Sequence, residues 1–190
     1  GEGAGDYLPG TDDGYNCHRS PRTYLVETFG VTKSGIIACS GAVTMDITAR
    51  SSKGMPAQVT QLDEYADEID LPDAVALTIG GNDAGFKSVL LSCTFFVDSC
   101  ADTIWGSPAD RFVEERLDSL AATLPDVYAS IDAVLNRPDR VTSRGGDAPI
   151  VVSAYPRILP GARPGTFSAF CAAAVNFSQD ELDFASTLVT

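Results

Sequence analysis

Two short segments combine residue types suited to holding a developing negative charge. In Gly80-x-Asn82-Asp83 an asparagine directly follows a strongly apolar run, Asp73 to Ile79. That order places a neutral double N–H donor at the C-terminal end of a buried strand, and such a donor suits an oxyanion. Gly41, in Ala38-Cys39-Ser40-Gly41-Ala42, follows another apolar run, and its backbone N–H offers a second donor with no side chain in the way. Either motif alone reads as an ordinary strand-ending turn; the pair makes Gly41 and Asn82 candidate oxyanion donors for acyl transfer.

Other chemistry is poorly supported. His18 is the sole histidine, Ser20 lies two residues from it in a loop, and no G-x-S-x-G nucleophile elbow occurs, so His18 reads as a structural or hydrogen-bonding residue. Gly1-x-Gly3 has Asp6 where a dinucleotide loop needs its third glycine, and no strand precedes it. Asp12-Asp13-Gly14 lacks the alternating oxygen ligands and distal glutamate of a calcium loop. Cysteines at 17, 39, 93, 100 and 171 form no C-x-x-C pair, so neither a metal nor another cofactor is expected. Asn176-Phe177-Ser178 is a sequon short enough to arise by chance.

These residues need elements to position them. Gly1 to Ser20 is rich in Gly, Asp and Pro and reads as loop; Arg22 to Phe29 has helical spacing and stops at Gly30. Ile36 to Cys39 and Ile150 to Tyr155 read as short buried strands, and Asp73 to Ile79 is the clearest strand, of the near-continuous apolar kind found in parallel sheets. Pro56 to Asp67 is helical with Val59, Leu62 and Ala66 on one side. Pro108 to Asn136 is helical with Phe112, Leu117, Leu120, Leu124, Tyr128, Ile131 and Leu135 recurring at three- and four-residue spacings. Pro125 is expected to kink or split that helix. Arg137 to Pro149 reads as a polar connection. Ser178-Gln179-Asp180-Glu181 has the spacing of a capping box opening a last helix. Strands separated by helices predict an α/β fold, a parallel sheet covered on both faces in the flavodoxin-like manner, with functional residues at the C-terminal strand ends.

The 190 residues suggest a single domain, and 44% hydrophobic against 21% charged residues provides material for a core. A net charge of −13 disfavours nucleic acid and anionic lipid surfaces as partners. No apolar run approaches the roughly 20 residues that span a bilayer. An acidic chain with spaced cysteines fits an exported protein, with Cys17–Cys39 and Cys93–Cys100 as possible pairs and five buried thiols as the alternative.

With these blocks in view, the chain resembles the SGNH (GDSL-type) esterases and lipases, in their exported bacterial branch. The resemblance runs through Gly1-Glu2-Gly3-Ala4, Tyr15-Asn16-Cys17-His18-Arg19-Ser20, Ala38-Cys39-Ser40-Gly41-Ala42 and Ile79-Gly80-Gly81-Asn82-Asp83. It implies a three-layer flavodoxin-like sandwich, a secreted monomer, a small-molecule or lipid ester as substrate, and Gly41 and Asn82 in the oxyanion hole. It implies disulfides Cys17–Cys39 and Cys93–Cys100, and a third from Cys171 to a cysteine after Thr190. The family's Gly-Asp-Ser nucleophile and its late Asp-x-x-His block do not occur in this sequence. The expectation is therefore a fragment, incomplete at both ends, inactive alone and at best loosely folded. The alternative is a non-catalytic exported module that binds a glycan or a protein through the same loop ends.

Overall fold

The computed structural model describes residues 7–9, 15–30, 35–89, 103–104 and 107–153. Among these, two compact units separate: the first takes the residues up to Ile79 together with Thr123–Ser153, and the second those from Gly80 to Ala122.

In the first unit, α1 (Tyr24–Phe29) starts where the Thr23 hydroxyl accepts the Val26 N–H and ends at Gly30, whose φ of +66° lets its N–H reach back to the Val26 carbonyl. A short α2 (Met45–Thr48) buries Ile47, and α3 (Gln58–Glu68) buries Leu62. The apolar run from Asp73 narrows to β1 (Val75–Leu77), which pairs in parallel with β4 (Ile150–Val152) in the register Val75↔Ile150, Ala76↔Val151, Leu77↔Val152. A Val75 N–H to Pro149 carbonyl bond and a Ser153 N–H to Leu77 carbonyl bond extend the ladder at its two ends. The parallel pairing expected of these two runs is therefore present, and helices with a parallel pair are compatible with an α/β fold. Ile47, Leu62, Val127 and Ile131 form the buried centre, against which Val75, Leu77 and Ile150 pack.

The long helix α4 (Ala109–Leu135) runs unbroken through Pro125, so of the expected kink or split the split does not occur. Pro125 and Ala121 are both exposed, so the carbonyl that loses its helical donor faces water. Of the expected apolar positions Ile131 and Leu135 are buried, whereas Leu117 is 44% exposed, and Val113 and Val127, which were not among them, are buried. A second correction concerns Ile36 to Cys39, which belongs to no strand ladder among the described residues. The carbonyls of Ile37 and Ala38 instead accept from the Arg19 guanidinium, each at 2.9 Å, so a side chain does what a neighbouring strand would do.

A third correction falls on Arg137 to Pro149, where a helix, α5 (Pro138–Arg144), stands in the expected connection. Pro138 in its first turn, Asp139 close behind and Gly145 at φ +84° are the local signals for it. The reason α5 stays in place is electrostatic. Arg140, 3% exposed, donates to Asp63 Oδ1 at 2.8 Å, Asp67 Oδ1 at 2.6 Å and the Val134 carbonyl at 2.6 Å, while Arg137 reaches Asp63, Asp67 and Asp139. The hydrogen bond from Arg140 holds the Asp67 carboxyl below its ordinary pKa, and the bond from Arg137 does the same for Asp139. Arg137 is raised in turn, chiefly by Asp139.

Carboxyls depressed in the folded state contribute stability that is present above their unfolded value of about 4 and lost as pH falls through the folded one. The raised arginine adds no alkaline limit below about pH 12. The midpoint of urea unfolding is therefore expected to fall as pH drops below about 4, and Asp67→Asn is expected to flatten that fall. An unchanged acid slope in Asp67→Asn would remove Asp67 as a source of the effect.

In the second unit the chain turns at Gly80, with Ala84 N–H to Gly80 carbonyl at 2.8 Å and Phe86 N–H to Gly81 carbonyl at 3.0 Å, and residues 86–89 are helical with Val89 buried. Arg116 lies 4.5 Å over the Phe112 ring and donates to the Asp83 carbonyl. A small antiparallel ladder of β2 (Thr103–Ile104) and β3 (Ser107–Pro108), unanticipated from the sequence, completes the described elements. The expected Cys93–Cys100 pair, Cys171, the sequon at Asn176 and the helix opened by Ser178 lie outside the described residues, as do Tyr155 and Pro156.

Candidate functional site

Cys17 and Cys39 are joined in a disulfide across 22 residues of sequence. Around it the two segments are also linked through the backbone, because the Ser40 N–H donates to the Cys17 carbonyl at 3.0 Å. Residues 39–42 form a turn closed by the Ala42 N–H on the Cys39 carbonyl at 3.1 Å, with Gly41 third in the turn at φ +76°. That value is the one a type II turn requires at its third residue and is the reason glycine occupies it. A Cβ built on Gly41 would meet nothing within 4 Å, so the constraint is backbone conformation and not space. Gly41 is exposed, leaving the end of its peptide accessible from solvent.

Arg19 supports this turn from behind. Besides the Ile37 and Ala38 carbonyls it donates to Gln61 Oε1 on α3 at 2.9 Å, and its partial burial pushes the guanidinium pKa down. Cys17 is flanked by two non-glycine residues in the left-handed region, Asn16 at φ +48° and His18 at φ +49°. Such conformations cost free energy and persist where surrounding contacts hold them. Here the disulfide supplies one such contact, and the stacking of His18 on Tyr7 another, with ring centroids 4.8 Å apart and planes 12° from parallel. Ser20 is fully buried and its hydroxyl accepts the Arg22 N–H at 3.1 Å. It serves a turn and is not presented as a nucleophile.

In the second unit Asn82 is exposed, its carbonyl accepting the Gly85 N–H at 3.1 Å. The turn before it depends on Gly80, which is buried at φ +108°; a Cβ there would lie 2.7 Å from Leu120 Cδ2. The structure thus brings Cys17 and Cys39 together and puts Gly41 on the turn beside them, while Asn82 heads its own turn in the other unit. Arg19 is the residue that sequence reasoning passed over. Its place inside the Tyr15–Ser20 block was the one available signal, and nothing in its spacing announces a fork onto two carbonyls.

Among the described residues no cluster of three His, Cys, Asp or Glu side chains is arranged to hold a metal ion, and no helix is long and apolar enough to cross a membrane. No family model matches the chain, and no solved structure matches it. Two curated proteins do. Over 161 residues the chain is 29% identical to "Lipase 1" of Streptomyces coelicolor, a match that covers 83% of this chain and 48% of that protein. The chain therefore spans about half to three-fifths of the length of the curated relatives it matches. Along 189 residues, 96% of its own length and 59% of the relative's, the chain is 31% identical to the "Lipase" of Streptomyces rimosus.

Proposed function

We propose that this chain is part of a secreted carboxylic ester hydrolase of the SGNH type, acting on a small-molecule or lipid ester as a monomer without a cofactor. The observation that carries the reading is Gly41, an exposed residue held in a left-handed conformation on a turn fastened by a disulfide. The lipase names of the two relatives support the reaction class, and the disulfide supports an oxidising compartment. In this reading β1 and β4 are two strands of a flavodoxin-like sheet, and the Gly41 N–H and the Asn82 side chain are donors to the oxyanion.

The sequence holds no Gly-Asp-Ser, and its one histidine is His18. The nucleophilic serine and the Asp-x-x-His block are therefore assigned to chain outside these 190 residues. The serine oxygen attacks the ester carbonyl as the histidine takes its proton, the oxyanion is held by hydrogen bonds, and the histidine returns the proton to the departing alcohol. Water then repeats the sequence on the acyl-enzyme.

Labelling with a fluorophosphonate, which reacts covalently with activated serines, tests this together with intact mass. The protein as its source makes it is expected to exceed the 20.0 kDa of this chain and to take up the probe, while the 190-residue chain alone takes up none. Uptake by the 190-residue chain would overturn the assignment of the nucleophile. A natural mass of 20.0 kDa with no uptake would overturn the hydrolase reading and leave the glycan- or protein-binding module.

A further inference from the structure

We infer that Lys53 is a positioning residue for the Gly41 N–H, acting through the peptide group that joins Ser40 to Gly41; this rests on the reading of Gly41 as an oxyanion donor. The Lys53 ammonium donates to the Ser40 carbonyl at 2.7 Å and to the Asn16 carbonyl at 2.7 Å. These two carbonyls belong to the segments that the Cys17–Cys39 disulfide joins. Lys53 is itself presented by a tight loop. The Gly54 N–H closes a turn on the Ser51 carbonyl at 2.9 Å, the Met55 N–H donates to Ser51 Oγ at 3.1 Å, the Ser51 N–H donates to the Met55 carbonyl, and Gly54 takes φ +87°.

The consequence follows from peptide geometry. A trans peptide is planar, so its C=O and N–H point in opposite directions and cannot turn independently. Ser40 and Gly41 are the two central residues of the 39–42 turn, and the peptide between them is the one whose orientation distinguishes a type II turn from a type I turn. Holding the Ser40 oxygen with a cation fixes the turn as type II and aims the Gly41 N–H away from Lys53. An ammonium on the carbonyl also polarises the amide, which strengthens its N–H as a donor. The disulfide and the Ser40–Cys17 bond hold the turn's base, and neither fixes this central peptide. Lys53 does.

The test is NMR on the protein as its source makes it, with Lys53→Met, Lys53→Arg and, as a control for lysine removal elsewhere, Lys87→Met. In a type II turn the Ser40 Hα lies close to the Gly41 amide proton; in a type I turn the two amide protons approach each other instead. Lys53→Met is expected to weaken the Ser40 Hα–Gly41 HN cross-peak, strengthen the HN–HN cross-peak, and shift the Gly41 15N signal and the Ser40 and Asn16 carbonyl signals together. Lys53→Arg is expected to restore all of them and Lys87→Met to move none. Unchanged cross-peaks at Gly41 in Lys53→Met would overturn the inference, as would failure of arginine to restore them. If Lys53→Met unfolds the loop, Lys53→Ala, which also removes the ammonium, takes its place with the same two readings, and unchanged cross-peaks there overturn the inference equally. None of these signals needs turnover, so a silent esterase overturns the functional reading alone, and a silent Gly41 overturns this one alone.

Discussion

Replacing both Cys17 and Cys39 by alanine is expected to lower the free energy of unfolding by about 3 kcal/mol. The bond closes a loop of sequence separation 22, and the entropy that such a cross-link removes from the unfolded chain is worth about 3 kcal/mol at room temperature. Alanine is the replacement because Cys17 is 1% exposed, and a serine hydroxyl there would add a buried polar group of its own. Against a total stability of about 5 to 15 kcal/mol for a domain, the loss shows as a large fall in the urea midpoint. Dithiothreitol on the unaltered chain is expected to give at least the same fall. A midpoint that is insensitive to both treatments would mean that Arg19 and the backbone bonds at Ser40 hold the two segments without the disulfide.

The disulfide matters beyond stability because of what lies beside it. Asn16 and His18 occupy left-handed backbone that only surrounding contacts sustain. The Asn16 carbonyl, one of the two that Lys53 binds, belongs to the peptide leading into Cys17. Loss of the bond frees that peptide, and with it one of the two anchors of the Lys53 ammonium. Disruption at Gly41 is therefore expected to accompany the loss of stability.

What the sequence revealed of this arrangement follows the range over which each interaction acts. The α1 helix was legible from its local spacing and from Gly30, which stands within a turn of the residues it caps, whereas the Thr23 cap went unread. β1 and its parallel partner were legible because each is a contiguous apolar run. Gly41 and Asn82 stood out because each follows such a run. Arg19 was not legible, since its carbonyl partners lie 18 and 19 residues away and a guanidinium fork leaves no periodicity in a sequence. For the same reason Ile36 to Cys39 read as a strand: burial of the run is local, but the identity of what satisfies its carbonyls is not. Arg140 meets Asp63 and Asp67 across more than 70 residues, so the helix it secures, α5, read as a connection despite Pro138 and Gly145. The stripe on α4 was right at Ile131 and Leu135 and off by one residue at two positions before them, Val113 beside Phe112 and Val127 beside Tyr128. Periodicity identifies a helix more securely than the face it buries.

The oxyanion assignment carries the largest expected effect on turnover. In the ester hydrolase proposed above, Asn82→Ala is expected to lower kcat for a p-nitrophenyl ester by about 10² to 10³, the usual cost of one oxyanion donor, with KM changed far less. The split between kcat and KM is the informative part. The ground-state carbonyl oxygen carries little charge and gains little from the amide, whereas the tetrahedral oxyanion gains most, so removal of the donor acts on the transition state. Asn82→Asp sharpens the test because it keeps the size of the side chain while placing a carboxylate where negative charge develops. That variant is expected to be slower still, and its rate relative to Asn82→Ala at the same pH is expected to rise as pH falls and the carboxyl becomes protonated. Asn82 is exposed at the head of its turn, so neither change opens a cavity, and the urea midpoint of each variant separates a loss of rate from a loss of fold. An Asn82→Ala enzyme whose kcat stays within about threefold of the original would remove this residue from the oxyanion hole, because a donor of this kind cannot be lost so cheaply.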